Sequence, residues 1–126
     1  IKPMESIKNV TFESYDFLEK STKDQILKFF NNKVDVIISD MAADTTGNKS
    51  LDCIRTNLLS AEVISFSSKI LGKNGKLVCK LFMGDDFLEV KELAKKEFSK
   101  VEFFKPESSR NESKETYIHC SSLKTL

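Results

Sequence analysis

The chain has 126 residues, of which 40% are hydrophobic and 31% charged, with a net charge of +1. This length allows at most one small domain, and the balanced charge by itself indicates neither a nucleic-acid partner nor an acidic one. No apolar run approaches the ~18 residues that span a membrane, and no signal peptide is visible. The three cysteines are widely spaced and odd in number, which favours reduced core thiols over disulfides or a metal site.

Strands and helices alternate along the chain. Apolar residues at helical spacing, such as Leu59, Val63, Phe66 and Ile70, indicate helices, and short apolar runs between breakers indicate strands. The predicted order is a strand at 10–12, a helix at 21–32, a strand at 34–40, a helix at 51–71, a turn at Asn74-Gly75, a strand at 76–82, a helix from 85 to Phe98, strands at 101–105 and 115–120, and a tail at 121–126. This rhythm is typical of a parallel α/β sheet.

The last connection differs from the others. Residues 106–114 form a polar loop without a helix, whereas a parallel crossover usually needs a dozen or more residues and a helix. We therefore expect the final strand to run antiparallel, so that Glu115 begins at the sheet edge where the other strands end.

Three charged residues of mixed sign lie at or near this edge. Asp40 closes one apolar strand, Lys80 lies inside a second, and Glu115 opens the last. Ligands of open α/β sheets bind outside the carboxyl ends of the strands, so these residues, with Asp16 further upstream, predict one site. The alternative is an ion pair that only satisfies its own charges.

Four ordered segments carry a more specific signal. They are Tyr15-Asp16-Phe17, Val36-Ile37-Ile38-Ser39-Asp40-Met41-Ala42, Val78-Cys79-Lys80-Leu81-Phe82-Met83-Gly84, and the pair Lys105-Pro106-Glu107-Ser108-Ser109-Arg110 and Ser113-Lys114-Glu115-Thr116-Tyr117-Ile118. Together they resemble the FtsJ/RrmJ family of S-adenosylmethionine-dependent ribose 2′-O-methyltransferases. The resemblance covers almost the whole chain and is closest to the branch that methylates large-subunit ribosomal RNA.

The resemblance implies a role for each site residue. Asp40, Lys80 and Glu115 fill the last three places of the family's Lys-Asp-Lys-Glu tetrad. Lys80 would be the general base that takes the proton of a ribose 2′-hydroxyl, while Asp40 and Glu115 would orient Lys80 and tune its basicity. Asp16, Asp40 and Met41 would border S-adenosylmethionine, with Asp16 accepting a hydrogen bond from the adenine amino group.

The resemblance also implies the partners. The expected substrate is a uridine of ribosomal RNA in the large subunit, with Arg110 and Lys114 as RNA contacts, in a cytoplasmic or organellar protein. A sister activity on transfer RNA or a messenger cap is an alternative within the family. A non-catalytic remnant that binds RNA or protein is the alternative from another class.

Parts of the family pattern are absent from these 126 residues. The glycine-rich donor motif and the first tetrad lysine are not found, and Ala43 and Asp44 replace the family's Pro-Asn pair. We therefore expect the C-terminal portion of a Rossmann-like methyltransferase domain whose first two strands are missing. The strand at 10–12 would then lack its sheet neighbour, and unpaired strand edges would favour self-association.

Overall fold

The computed structural model describes residues 10, 16–30, 33–42, 46–83, 86–104 and 115–124, which belong to two compact units. The first unit, residues 1–31, contains helix α1 (Lys20–Phe29). The second unit, residues 32–126, contains the remaining elements: β1 (Val34–Ser39), α2 (Lys49–Ile70), β2 (Leu71–Phe82), α3 (Phe87–Glu97), β3 (Phe98–Phe104) and β4 (Glu115–Leu123). The predicted α/β alternation is confirmed, whereas the strand predicted at 10–12 lies outside the described residues except for Val10.

The second unit is built on a four-stranded sheet in the order β1-β2-β4-β3. β1 and β2 are parallel, and β4 lies between β2 and β3 and is antiparallel to both. Glu115 therefore pairs with Phe82 at the carboxyl end of β2. This confirms the predicted reversal of the last strand and the predicted edge for Glu115.

Alternation along the strands divides the sheet into two faces. Leu77, Cys79 and Leu81 of β2, with Ile118 and Cys120 of β4, are at most 1% exposed and form the core. α2 and α3 lie on this face, where the Phe87 ring packs 4.8 Å from that of Phe103. The residues between them, including Lys80 and Tyr117, point to the opposite face because successive side chains of a strand alternate. We call that opposite side the Lys80 face.

The predicted turn at Asn74-Gly75 is wrong, because these residues lie within β2. The structure has an irregular register instead: Leu71 pairs with Val34 and Lys76 with Val36, so four residues of β2 stand opposite one of β1. A Cβ on Gly75 would lie 2.8 Å from Leu71 Cδ2 and 3.0 Å from the carbonyl oxygen of Gly72, so the close approach in this bulge favours glycine.

Two other boundaries differ from the prediction. Phe98 was expected on the buried face of the helix, but it is the extended C-cap of α3 and the first residue of β3, where it is buried and pairs with Leu123. Ser121 to Leu123 were expected in a tail, but they complete β4. In both cases pairing between β3 and β4 adds hydrogen bonds that local spacing does not reveal.

Among the described strands, β1 forms one edge of the sheet. Its Val36 and Ile38 side chains are 53% and 74% exposed. Exposed apolar edge strands favour pairing with another chain, so self-association stays a prediction. Within the described ranges, no helix is both long and apolar enough to cross a membrane.

A buried asparagine connects α2 to the end of β2. The side-chain amide of Asn57 donates to the carbonyl of Phe82 and to Asp86 Oδ1, both at 2.8 Å, and its oxygen accepts from Phe82 N, also at 2.8 Å. Asn57 is 0% exposed, so its amide is fully buried and these bonds satisfy it, together with part-buried main-chain groups of Phe82.

We predict that Asn57→Ala lowers the free energy of unfolding by roughly 2–4 kcal/mol, because it removes a fully buried side chain with three hydrogen bonds and leaves part-buried main-chain groups of Phe82 without these partners. Asn48→Ala is the matched control on the same helix: Asn48 caps α2 by accepting from Leu51 N at 3.1 Å and is exposed, so its loss should cost about 1 kcal/mol. Urea unfolding of the two variants measures the difference, and an equal loss in both would contradict the role given to Asn57.

Candidate active site

Lys80 lies at the centre of a charged cluster on the Lys80 face. Its Nζ is 3.1 Å from Asp40 Oδ1 and 3.7 Å from Glu115 Oε2. The Lys80 side chain is 14% exposed, compared with 29% for Glu115 and 66% for Asp40. The structure thus brings together the three residues that the sequence placed at one site, with the ammonium at the bottom and the carboxylates nearer the solvent.

The strand register explains why these side chains meet. Ser39 pairs with Cys79, so Asp40, the next residue after β1, is level with Lys80. On the other side of β2, Lys80 pairs with Tyr117 and Phe82 with Glu115. Glu115 and Tyr117 are two residues apart and therefore share the Lys80 face.

Tyr117 is a member of the cluster to which the sequence analysis gave no role. Its hydroxyl donates a hydrogen bond of 2.8 Å to Asp40 Oδ1, the same oxygen that contacts Lys80. The signal that could have found it is its place two residues after Glu115 on an antiparallel strand.

The hydrogen bond between Tyr117 and Asp40 moves the pKa values of both groups away from neutral pH. The Tyr117 hydroxyl is the main cause that lowers the pKa of Asp40, and Lys80 lowers it further, against a smaller opposing effect of burial. The same bond, with burial and the nearby negative charge, raises the pKa of Tyr117 to about 12. Near neutral pH, Asp40 is therefore an anion and Tyr117 a protonated donor.

Helix α2 fixes the main chain of β2 from the other face. The Ser60 hydroxyl donates to the carbonyl of Lys80 at 2.5 Å. Cys79 points into this interface, and burial raises the pKa of its thiol; burial also raises the pKa of Cys120 to about 12. Both thiols are free and buried, which confirms the prediction of reduced core cysteines at these two positions.

The other predicted site residues fall in different places. Met41 follows Asp40 directly and is partly buried. Asp16 lies in the first unit, where its Oδ1 accepts from Leu18 N at 3.0 Å and its side chain is in an exposed turn. Arg110 and Lys114 lie outside the described residues, as do Ala43 and Asp44. The roles proposed for all of these stay predictions.

Across the ranges that the structure describes, no group of three histidine, cysteine, aspartate or glutamate side chains is placed to hold a metal ion. The described cluster itself contains an amine, two carboxylates and a phenol. An amine between carboxylates can exchange a proton with a nearby hydroxyl group.

The profile of the FtsJ-like methyltransferases matches residues 1–123. The chain belongs to the FtsJ-like methyltransferase family. This membership agrees with the resemblance carried by the four sequence segments, two of which contain Asp40 and Lys80.

Curated relatives of this FtsJ-like chain have the name ribosomal RNA large subunit methyltransferase E. The protein from Pelagibacter ubique is 44% identical over 124 residues, which are 98% of this chain and 61% of the relative. The protein from Rickettsia akari is 41% identical over 115 residues, 91% of this chain and 51% of the relative. The chain therefore spans between about half and three fifths of the length of these relatives.

A solved structure shows the same fold. The crystal structure of a candidate ribosomal RNA methyltransferase from Plasmodium falciparum has a TM-score of 0.82 and 24% identity, and the match covers 97% of this chain and 68% of the other. This confirms the expected Rossmann-like methyltransferase fold for the FtsJ-like chain.

We predict that Tyr117→Phe raises the pKa of Asp40, because it removes the hydrogen bond that lowers this pKa most. A carboxylate with a lowered native pKa stabilises the fold above its ordinary value near 4, and this contribution is lost as the pH falls through the native pKa. The stability difference between the wild type and Tyr117→Phe should therefore be present at pH 7 and shrink in acid.

Carbon-13 NMR titration of the Asp40 carboxyl carbon measures the pKa directly. Asp52 is an internal control, since its pKa is lowered mainly by the side-chain hydrogen bond of Thr46 and should not change in the variant. An Asp40 titration midpoint that is the same in both proteins would contradict the assignment.

Proposed function

We propose that this chain carries the catalytic centre of an enzyme that methylates the 2′-oxygen of a ribose in RNA, with a uridine of large-subunit ribosomal RNA as the target. Family membership supports RNA methylation, and the names of the Pelagibacter ubique and Rickettsia akari relatives support a large-subunit ribosomal substrate. The observation that carries the ribose proposal is the Lys80 amine held between Asp40 and Glu115. A ribose hydroxyl must lose its proton to be methylated, so it needs a general base such as Lys80. Many ring nitrogens of nucleobases, in contrast, already have a free lone pair.

The residues of the cluster are suited to a methyl donor. Both contacts of the Asp40 carboxylate are made by Oδ1, and two thirds of the side chain is exposed, so the carboxylate still has accessible surface for a cationic or hydroxyl-bearing ligand. We expect Asp40 and Met41 to border S-adenosylmethionine, and the exposed carboxylate of Asp16 to accept from the adenine amino group. When bound, S-adenosylmethionine supplies a methyl carbon whose bond to sulfur breaks as its bond to oxygen forms, leaving a neutral thioether.

Lys80 moves the proton in this proposal. The ammonium of Lys80 first gives a proton to solvent, and the neutral amine then accepts the proton of the 2′-hydroxyl as the oxygen becomes the nucleophile. The ammonium that results lies 3.1 Å from Asp40 and 3.7 Å from Glu115, so the two carboxylates stabilise the charge that the reaction places on Lys80.

Asp40 and Glu115 also position the base. A lysine side chain has four rotatable bonds, and two contacts on one ammonium limit the positions that its nitrogen can take. The Tyr117 hydroxyl lowers the pKa of Asp40 and holds its Oδ1, the same oxygen that contacts Lys80. Alignment of a base with its hydroxyl is a large part of catalysis when the leaving group is already activated.

We predict that Lys80→Ala lowers the rate of methyl transfer by ~10²–10⁴-fold, the usual contribution of a positioned general base. The assay uses labelled S-adenosylmethionine and unmodified large-subunit ribosomal RNA. It is run on this 126-residue chain and on the chain joined to the part of the Pelagibacter ubique relative that it does not match.

Lys76→Ala is the matched control, because Lys76 is an exposed lysine on the same strand and the same face, four residues from Lys80. It removes an equal positive charge and should leave the rate near that of the wild type. Equal rates in Lys80→Ala and the wild type, with both folded, would contradict the role of Lys80 as the base.

A further inference from the structure

An aromatic pair made of the exposed Phe104 and the partly buried Tyr117 lies beside the charged cluster. The rings of Phe104 and Tyr117 are stacked, with centroids 5.8 Å apart and an angle of 21° between their planes. Phe104 is 46% exposed, although it is a large apolar side chain within a strand. Exposure alone is not unusual here, since Phe29 is 56% exposed; what sets Phe104 apart is its stacking on Tyr117, a member of the Lys80 cluster.

The neighbouring phenylalanine shows what a core position looks like on this strand. Phe103 faces α3 and packs on Phe87, with ring centroids 4.8 Å apart. Phe104 points to the Lys80 face, where its described ring partner is Tyr117. The two consecutive phenylalanines therefore serve different faces, and the core accounts for only one of them.

The strand register connects the Phe104–Tyr117 pair to Lys80. Lys80 pairs with Tyr117, and Tyr117 pairs with Phe104, so the three residues form one row across β2, β4 and β3. Two strand spacings separate Lys80 from Phe104, which is about 10 Å. In the same row, the Tyr117 hydroxyl contacts the carboxylate that holds Lys80. If the ribose of a nucleotide lies at Lys80, the nucleobase of that nucleotide, or of the next nucleotide, would therefore be within reach of the Phe104 ring.

We infer that Phe104, backed by Tyr117, is a stacking platform for an unpaired nucleobase of the RNA whose ribose is presented to Lys80. This inference rests on the proposed function and adds to it a base contact and a requirement for locally single-stranded RNA. RNA is read mostly at unpaired bases that stack on aromatic side chains, and a ring face accepts any base. The Phe104 platform would thus keep the RNA locally unpaired and fix the distance between nucleobase and ribose. It would not select which nucleobase is bound.

Two substitutions at Phe104 separate the effect of the aromatic ring from the effect of side-chain volume. Phe104→Tyr keeps an aromatic face, whereas Phe104→Leu keeps apolar volume without one. Phe29→Leu is the control, because Phe29 is a 56% exposed phenylalanine on α1 that stands outside the proposed platform. Circular dichroism confirms that each variant is folded.

The probe is a short single-stranded RNA that carries 2-aminopurine at one position, whose fluorescence falls when it stacks. We expect Phe104→Leu to weaken binding about tenfold and to abolish the quenching, and Phe104→Tyr and Phe29→Leu to stay close to the wild type. In the methyl-transfer assay, the loss should be seen in KM for RNA and not in kcat.

Unchanged binding and quenching in Phe104→Leu would overturn the inference while the proposed function stands. Unchanged RNA binding together with altered sedimentation of Phe104→Leu would also overturn it, since Phe104 would then contact protein. If the wild type transfers no methyl group yet Phe104→Leu abolishes the quenching, the proposed function fails and the stacking platform stands.

Discussion

The second unit is organised around an ammonium group that a β-sheet does not normally accept. Lys80 is only 14% exposed, and a charge at this depth needs partners. Asp40 and Glu115 provide them from the two neighbouring strands, one parallel and one antiparallel. A shift of β4 by one residue would turn Glu115 and Tyr117 toward the helices and leave Lys80 with half of its compensation. The same contacts therefore specify the register of the sheet and assemble the site.

The two faces of the sheet have separate tasks. On one face, the side chains of β2 and β4 form the apolar core beneath α2 and α3. The pairing of β1 with β2 ends at Ser39 and Cys79, so β1 does not reach the main chain of Phe82. The Asn57 side chain forms hydrogen bonds with Phe82 in place of a neighbouring strand. Ser60 fixes the carbonyl of Lys80 itself. Among the described residues, the Lys80 face thus carries charged and aromatic side chains on a backbone that is held from the other face.

The meeting of Asp40, Lys80 and Glu115 could be predicted because it depends on simple quantities. The period of two in a strand and the length of the connection before Glu115 were sufficient for the direction of β4 and the position of its first residue. The family resemblance then gave the three residues their proposed roles. Those roles concern chemistry, and a methyl-transfer assay tests them. The arrangement of the three side chains, in contrast, follows from the strand register.

The features that sequence reasoning missed depend on partners far along the chain. Asn74-Gly75 carries a local turn signal, but pairing of Leu71 with Val34 begins the strand before it. Phe98 lies four residues after Ala94, a spacing that fits a helix, yet Leu123 pairs with it in a sheet. The bond from Tyr117 to Asp40 spans 77 residues, and no local pattern encodes it.

The site on the RNA that receives the methyl group tests the proposed role of Lys80 most directly. After reaction with labelled S-adenosylmethionine, the RNA is digested to nucleosides, which are separated and identified by mass spectrometry. We expect label in a 2′-O-methylated nucleoside, because the Lys80 amine is placed to take a hydroxyl proton. Label in a nucleoside methylated on its base would contradict it, since that product would leave the Lys80 cluster without the reaction for which its charges are arranged.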